Sequence, residues 1–410
     1  MKNNLYDKII MEMKNMKEKY ADLLLKRCLS LKSTDSLLIN APIDSIDFIR
    51  ILTKKAYEIG IKDIYLDLED EELKHNELKY LSNDELKNSK NFNKKIFDIY
   101  AKRNAAFLML CGENPDAMND IDKDKINFTG KLLRESKPIF KEKEITYEIP
   151  WCIGLIPTHS YAKKVFPNDI NAYNKLWDLI LKITLCDKGN PIEEWNKKIE
   201  LNKKRVETLN NLKIKSLTYS NKLGTKFTIG FSDNIWCGSD TISKDGRNLI
   251  VNMPTEEIFT TPNKYTANGI VYASRPLVYN GSLINNFWIK FKDGKVIDYD
   301  AETGKEILKG IINIENGDYL GEVALVDKTS PIFESNTIFY ETLYDENASC
   351  HLALGQGFTE CIRTEKNLKD IGFNDSLTHV DFMIGTEDLD IIAETKQGKV
   401  KIMENGKFVI

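Results

Sequence analysis

The 410-residue sequence has no long hydrophobic run and no strong excess of either charge. No window approaches the roughly 18 apolar residues of a membrane-spanning helix, and the N-terminal segment MKNNLYDKIIMEMKNMKEKY lacks the apolar core of a secretory signal. Its 58 basic and 62 acidic residues give a net charge of −4, which does not indicate nucleic acid or an anionic membrane as a partner. We therefore expect an ordinary soluble protein of the cytoplasm.

Two common cysteine and histidine motifs are also missing. The seven cysteines are an odd number and form no C-x-x-C pair, which argues against a disulfide framework or a structural zinc site. Scattered thiols of this kind favour a reducing cytosol. The chain has four histidines but no H-E-x-x-H helix, so the pattern of the single-zinc metalloproteases is excluded.

The length and the order of segments predict two domains. A chain of 410 residues exceeds the size at which one hydrophobic core usually stops growing. Residues 1–210 alternate helix-like and strand-like segments, which predicts an α/β domain with an open, mostly parallel sheet and flanking helices. Residues 211–410 contain short strands with turn signals, which predicts an α+β, β-rich domain.

Two of the histidines, His351 and His379, lie near the C-terminus among carboxylates. Glu346 comes five residues before His351, and Asp381 comes two residues after His379. Residues i and i+2 of a strand share a face, so His379 and Asp381 would point at the same ion. Imidazole and carboxylate together suit Zn²⁺, Co²⁺ or Mn²⁺. The spacing therefore predicts a metal site in the β-rich half.

Further acidic residues in this half complete a candidate ligand set. Glu256 and Glu257 follow the apolar run LIVNM, and Glu322 is the one acid in the apolar strand LGEVALV. A buried carboxylate without a partner is costly, so Glu322 either faces solvent, pairs with a base or binds metal. Two metal ions held close together are a known hydrolytic device. Four carboxylates would balance two divalent ions: Glu256, Glu322, Glu346 and Asp381.

Longer motifs surround these residues. They are NMPTEEIFTTP (252–262), GEVALV (321–326), FYETLYDENASCHLALGQGF (339–358) and HVDFMIG (379–385), with a looser match at PTHSYAKKVFP (157–167). In this order they resemble the thermophilic aminopeptidase family of metallopeptidases, of the aminopeptidase T and aminopeptidase S type. The resemblance implies a cytoplasmic exopeptidase that removes N-terminal residues from short peptides through a co-catalytic pair of divalent metal ions (Zn, Co, Mn or Mg). It also implies a homodimer, and an N-terminal domain that encloses the active-site cavity.

Carried across motif by motif, the resemblance assigns residue roles. It implies that Glu322 is the ligand that bridges the two ions. Glu257 is the candidate general base, although neighbours in a strand face opposite ways, so this role requires a turn beside Glu256. The family commonly has a tyrosine where this chain has Phe358, which can donate no hydrogen bond. The implied metal ligands are Glu256, Glu322, Glu346, His351, His379 and Asp381.

Alternatives remain at the level of residues and of function. Taken singly, Glu346 is typical of an acid in the first turn of a helix, and Glu256 with Glu257 is typical of a solvated pair. His351 alone is typical of a buried core histidine, and only the joint occurrence in family order favours a metal centre. One alternative function is a catalytically weak, metal-binding homologue that acts as a binding protein, which Phe358 motivates. Another is a dinuclear metal hydrolase that acts on a different amide.

Overall fold

The structure, a computed structural model, describes residues 2–89, 91–238, 240–279 and 281–410. The chain forms two compact units. The first comprises Met1–Asn196 and Asp240–Pro254, and the second comprises Lys197–Ser239 and Thr255–Ile410. Among the described residues, no helix has the length and apolar character needed to cross a membrane.

The helices are concentrated in the first half of the chain. In chain order they are α1 (Lys2–Asp22), α2 (Ile46–Ile59), α3 (Glu71–Tyr80), α4 (Asn83–Ser89), α5 (Asn91–Lys102), α6 (Lys123–Glu135), α7 (Pro138–Ile145), α8 (His159–Val165), α9 (Ala172–Ile183), α10 (Pro191–Leu212), α11 (Lys305–Ile312), α12 (Pro331–Ser335) and α13 (Thr342–Glu346). A π-helical segment, Leu23–Cys28, continues α1.

The strands are concentrated in the second half. They are β1 (Ser36–Pro42), β2 (Asp63–Glu69), β3 (Ala106–Cys111), β4 (Trp151–Leu155), β5 (Ser216–Ser220), β6 (Lys226–Gly230), β7 (Asp240–Ile242), β8 (Asn248–Ile250), β9 (Asn252–Met253), β10 (Ile258–Thr260), β11 (Asn268–Tyr272), β12 (Leu277–Tyr279), β13 (Ser282–Lys292), β14 (Lys295–Thr303), β15 (Leu320–Leu325), β16 (His351–Gly355), β17 (His379–Met383), β18 (Asp390–Thr395), β19 (Gly398–Glu404) and β20 (Lys407–Phe408).

The first unit contains a five-stranded parallel sheet in the order β2-β1-β3-β4-β9. Parallel neighbours need crossover connections, which the helices supply, and helix cover explains why β1 reads as an almost continuous apolar run. Helix α2 buries Phe48, Leu52 and Ala56 on one face and ends at Gly60, whose φ of 103° forms a left-handed cap. The expected parallel α/β arrangement is therefore confirmed.

The predicted division at residue 210 needs correction. After the chain has entered the second unit, the segment Asp240–Pro254 returns to the first unit. There β9 adds to the edge of the parallel sheet beside β4, and β7 pairs with β8. A two-residue strand carries too little periodicity for a sequence pattern to place it, so domains 1–210 and 211–410 are not continuous in the structure.

The second unit contains two sheets that share one hydrophobic core. The larger has the order β12-β13-β11-β6-β5-β18-β19-β20, with β14 beside β13, and the smaller is the antiparallel sheet β10-β15-β16-β17. Both sheets contribute to one cluster of buried side chains, in which the rings of Phe287 and Phe382 lie 5.9 Å apart. The opposite face of the smaller sheet is therefore the one available for polar side chains.

Candidate metal centre

Strand β17, with the sequence HVDFM, separates core residues from polar residues by simple alternation. Val380 and Phe382 belong to the hydrophobic core. His379 and Asp381 alternate with them and so lie on the other face of the strand. The prediction that these two side chains share a face is confirmed by their contact, since Nε2 of His379 lies 3.2 Å from Oδ1 of Asp381.

Strand β16 lies in the middle of the polar face. Ala353 is paired on one side with Asp381 and on the other with Glu322, and side chains directly opposite each other share a face. The methyl group of Ala353 therefore leaves space between the two carboxylates. His351 lies two residues before Ala353 and so faces the same way.

A β-bulge at Gly321 brings Glu322 onto this face. Leu320 pairs with Leu354 while Glu322 pairs with Ala353, so Gly321 is the extra residue of β15. In an unbroken register Glu322 would lie opposite Leu352, which belongs to the core. Gly321 has no room for a side chain, because a Cβ there would lie 2.2 Å from the carbonyl oxygen of Gly355.

Glu257 reaches the same face from the edge of the sheet. It immediately precedes β10, in which Phe259 pairs with Ala324, and Ala324 in turn pairs with His351. Residues 257 and 259 share a face by alternation, so the Glu257 side chain points toward His351. Oε2 of Glu257 lies 3.1 Å from Nε2 of His351.

The side chains converge into two groups that share one residue. Glu257, Glu322 and His351 form the first group, and Glu322, His379 and Asp381 form the second. Within each group the candidate ligand atoms all lie within 4.8 Å of one another. These are the groups of this kind found among the described residues, and Glu322 is common to both.

Backbone carbonyls hold the two imidazole rings in matching orientations. Nδ1 of His351 donates to the carbonyl oxygen of Ser349 at 3.1 Å, and Nδ1 of His379 donates to that of Gln356 at 2.8 Å. A carbonyl can only accept, so each Nδ1 carries the hydrogen and each Nε2 faces the carboxylates. Metal-binding histidines commonly have their second nitrogen held in this way.

The electrostatics of the groups fit a bound cation. Burial, partly offset by the contact with His379, raises the pKa of Glu322 to about 7. Burial disfavours the charged form of His351, but the ion pair with Glu257 outweighs it and raises its pKa to about 10. Burial would raise the pKa of Asp381, yet the charge of His379 lowers it to about 2. The carboxylates therefore require positive charge at the Nε2 atoms, which protons or metal ions can supply.

One oxygen in the site lacks a hydrogen bond. Oδ1 of Asp381 is buried and accepts no well-aligned hydrogen bond among the described residues, although Nε2 of His379 lies 3.2 Å away. Buried carboxylate oxygens are normally satisfied, so this atom is suited to ligate a cation. Mixed nitrogen and oxygen donors of this kind match the preference of divalent transition metals.

Glu346 lies beside the groups but belongs to neither. It is the last residue of α13, and burial together with the charges of Asp381 and Glu257 raises the pKa of its carboxyl well above the usual value. The structure thus brings Glu346 close to the predicted ligands without placing its carboxylate among them. Its expected role as a ligand stays a prediction.

Glu256, the other predicted ligand outside the groups, points away from them. Its carboxylate forms an ion pair with Nζ of Lys198, and its backbone N–H donates to Oδ1 of Asn347 at 2.7 Å. Glu257, and not Glu256, therefore belongs to the groups of candidate ligands, and a ligand role for Glu256 stays a prediction. The physical reason is the alternation of an extended chain, in which only one of two consecutive side chains can face the sheet surface.

Phe358 borders the site, whereas His159 lies elsewhere. The ring of Phe358 lies 5.0 Å from that of His379 and 5.3 Å from that of Phe259. His159, in the other unit, stacks on Tyr173 at 4.1 Å and serves as a surface residue. Sequence reasoning gave no role to Gly321 or Ala353, and a Gly-Glu pair opening an apolar strand is the signal that could have indicated the bulge.

Comparison with known proteins places these residues in a family context. The family described as thermophilic metalloprotease (M29) matches residues 13–408. Aminopeptidase 2 from Geobacillus stearothermophilus is 37% identical over 391 residues, which cover 93% of this chain and 94% of that protein. Aminopeptidase AmpS from Bacillus subtilis (strain 168) is 33% identical over 399 residues, which cover 95% of this chain and 97% of that protein.

A solved structure agrees with the fold. Wild-type AmpT from Thermus thermophilus matches with a TM-score of 0.90 at 30% sequence identity, over 97% of this chain and 100% of that chain. The match therefore covers nearly the whole of this chain. The resemblance inferred from the sequence motifs is confirmed.

Proposed function

The chain belongs to the thermophilic metalloprotease (M29) family, and we propose that it removes N-terminal residues from short peptides with a co-catalytic pair of divalent metal ions. It is a metallo-aminopeptidase, a hydrolase of peptide bonds. The observation that carries the two-metal proposal is the position of Glu322, whose carboxylate is common to both groups of candidate ligands.

The proposed ligands divide between two ions. Glu257 and His351 would hold one ion, His379 and Asp381 would hold the other, and Glu322 would bridge them. The chemistry that divalent ions supply in such sites is Lewis acidity, which polarises a peptide carbonyl and acidifies a water molecule. The donor set suits zinc, cobalt or manganese, and its oxygen ligands also accept magnesium.

Glu346 is the general base in this proposal, in place of Glu257. A general base must lie near the reacting water without being held as a ligand, and Glu346 is buried close to Asp381 and Glu257. Burial together with the charges of Asp381 and Glu257 raises the pKa of its carboxyl, which favours its uptake of a proton. Glu346 would take the proton of the attacking water and donate it to the leaving amine.

The histidines and the aromatic residues have supporting roles. The carbonyl groups of Ser349 and Gln356 keep His351 and His379 in the tautomer whose Nε2 can bind a cation, so no proton rearrangement is needed. The ring of Phe358 is tilted against that of His379, with the ring centres 5.0 Å apart, and so borders the site.

The alternative functions are not favoured. The relatives at 37% and 33% identity are named aminopeptidases, and the four residues His351, His379, Glu322 and Asp381 converge as a functional centre requires. A homodimer remains a proposal based on the family resemblance. The tryptophans of α9 and α10, Trp177 and Trp195, are buried within the chain and give it no support.

Hydrolysis of leucine and arginine aminoacyl chromogenic substrates tests the proposal. We expect release of the chromophore from free amines and none from N-acetylated substrates, with loss of activity in chelator and recovery on addition of zinc, cobalt, manganese or magnesium. Elemental analysis should return two divalent ions per chain. Activity that survives complete removal of metal, or equal cleavage of the acetylated substrate, would contradict the proposal.

The role of Glu346 has its own test. Glu346→Gln should retain both ions and lose most of kcat, because glutamine preserves the shape of the side chain but cannot accept the proton. Glu341→Gln is the matched control, since Glu341 lies at the start of the same short helix. Loss of an ion from the Glu346→Gln protein would show that Glu346 is a ligand instead.

A further inference from the structure

Two cysteines of the second unit, Cys237 and Cys361, lie close together although they are far apart in the sequence. Sγ of Cys361 lies 3.3 Å from Sγ of Cys237, and both are free thiols. Cys237 is partly exposed and Cys361 is buried. Cys111 is also partly exposed, whereas the others are buried: Cys28, Cys152, Cys186 and Cys350.

Backbone hydrogen bonds attach this thiol pair to the edge of the candidate metal centre. Cys237 and Phe259 exchange two bonds, of 2.8 and 3.0 Å, so Cys237 extends the row formed by Phe259, Ala324 and His351. The carbonyl oxygen of Cys361 accepts from the N–H of Ile235 at 2.8 Å. Both sulfurs are therefore held beside the site by main-chain contacts.

The connection to Phe358 is short. Cys361 ends a short 3₁₀ turn, Thr359–Cys361, and Phe358 immediately precedes that turn. The main chain of Phe358 is itself bound to Thr261, whose hydroxyl accepts from the N–H at 2.7 Å. Movement of Cys361 would thus be passed to the ring that contacts His379 and Phe259.

We propose that Cys237 and Cys361 form a reversible oxidation site, in which hydrogen peroxide or a related hydroperoxide converts the two thiols to a disulfide and lowers peptidase activity. The lowered activity rests on the proposed function, whereas formation of the disulfide does not.

The chemistry follows from the exposure of the two thiols. The thiolate of the accessible Cys237 attacks one peroxide oxygen, the O–O bond breaks, and protonation of the leaving oxygen gives water and a sulfenic acid. The thiol of Cys361 then attacks the sulfenic sulfur, the S–O bond breaks, and a second water leaves. Two thiols are oxidised, one peroxide is reduced, and the sulfur of Cys361 loses its proton to the departing hydroxyl.

Geometry and ionisation both favour this sequence. Closing the sulfurs from 3.3 Å to the ~2.05 Å of a disulfide requires a shift of only about 1.2 Å. The hydrogen bond from Cys361 lowers the pKa of Cys237, which increases the fraction of the reactive thiolate. Burial protects Cys361 from direct oxidation and leaves it as the resolving thiol.

We expect the disulfide to lower turnover through the rings of Phe358 and Phe259. A disulfide would tie the turn after Phe358 to the strand segment beside Phe259, and the two rings could no longer adjust independently. A displacement of about 1 Å near the reacting atoms can cost about 10² in rate. We therefore expect a fall of roughly 10- to 100-fold in kcat for the oxidised protein.

The experiment uses the metal-loaded full-length protein treated with graded hydrogen peroxide. Intact mass should fall by two hydrogen atoms, and a non-reducing digest should contain one cross-linked peptide pair that joins Cys237 to Cys361. Activity should fall in step with that mass change and return with dithiothreitol, which does not reverse methionine oxidation. A different cross-link, or none, overturns the site.

Variants test formation of the disulfide separately from its effect on activity. Cys237→Ser and Cys361→Ala should each abolish the cross-link and the reversible loss of activity, while Cys111→Ser, the other partly exposed thiol, should preserve both. A cross-link formed at full activity overturns the effect on turnover. The mass measurement needs no peptidase activity, so failure of the proposed function and failure of the oxidation site are distinguishable.

Discussion

Each unit of the protein carries two histidines beside carboxylates, but their surroundings differ. In the first unit, Nε2 of His75 lies 2.7 Å from Asp120 and Nδ1 of His159 lies 2.9 Å from Asp44. These pairs are open to solvent, since Asp120 is 60% exposed and His159 is 64% exposed. Exposed ion pairs of this kind contribute little to the free energy of folding, and their carboxylates do not require a bound cation.

In the second unit the histidines meet several buried carboxylates at once. Nε2 of His379 lies 3.2 Å from both Glu322 and Asp381, and these carboxylates are 4% and 8% exposed. Backbone carbonyls hold Nδ1 of both rings, so neither imidazole can turn away. Two features therefore distinguish a candidate metal site from a surface ion pair: several carboxylates converge on each imidazole, and the tautomer of the imidazole is fixed. The presence of one carboxylate partner does not distinguish the two.

Alanine replacement of the four histidines tests this comparison most strongly. His351→Ala and His379→Ala should each lose at least one ion, and activity should fall by on the order of 10³-fold, because several kcal/mol of stabilisation depend on each ion. His75→Ala and His159→Ala should retain both ions and normal turnover. Elemental analysis and chromogenic assays on the same preparations decide the outcome. Equal losses in both pairs would remove the distinction between the units.

Replacement of the adjacent residues Glu256 and Glu257 is the test with the next largest expected effect. Glu257→Gln should weaken one ion and reduce activity by roughly 10²-fold or more, since the charge that faces His351 is lost. Glu256→Gln should retain both ions, because glutamine can still accept a hydrogen bond from Lys198. Metal titration of the two variants, each first freed of metal, compares their affinities for the ions. Greater metal loss in Glu256→Gln would restore Glu256 as the ligand.

A change at the bulge should have a smaller effect on activity. In Gly321→Ala, the new methyl group meets the carbonyl oxygens of Gly355 and Gln356 at 2.2 and 2.3 Å, so the strands must separate and Glu322 must shift. We expect a lower melting temperature and a fall in activity on the order of 10- to 100-fold. Gly310→Ala, in the open surface of α11, is the control and should be neutral or stabilising. Normal activity in Gly321→Ala would show that the bulge does not orient Glu322.

Phe358→Tyr should have the smallest effect. The ring borders His379, so a hydroxyl can reach polar surroundings and stability should change by less than about 0.5 kcal/mol. Turnover should hold steady or rise a few-fold, below the about 10²-fold that a preorganised oxyanion donor supplies. Steady-state kinetics and thermal unfolding check both parts. A large fall in kcat would show that the phenylalanine packing itself is needed for activity.

The fold was predictable where the pattern of residues is local. The βαβ character of the first unit follows from the apolar run of β1 and the amphipathic α2, which need no distant information. The return of Asp240–Pro254 to the first unit was not predictable, because β9 contributes two residues to a sheet whose other strands lie far away in sequence. Short edge strands are defined by their partners and not by their own periodicity.

Four members of the site, Glu322, His351, His379 and Asp381, were determined by the sequence itself through residue type, alternation and family motif. Only the tertiary structure decided the positions of the others. The register of β10 against β15 turns Glu257, and not Glu256, toward His351, and Glu346 lies beside the groups. Register is set by pairing across the sheet, and one residue of shift reverses every side chain, so a linear pattern cannot supply it.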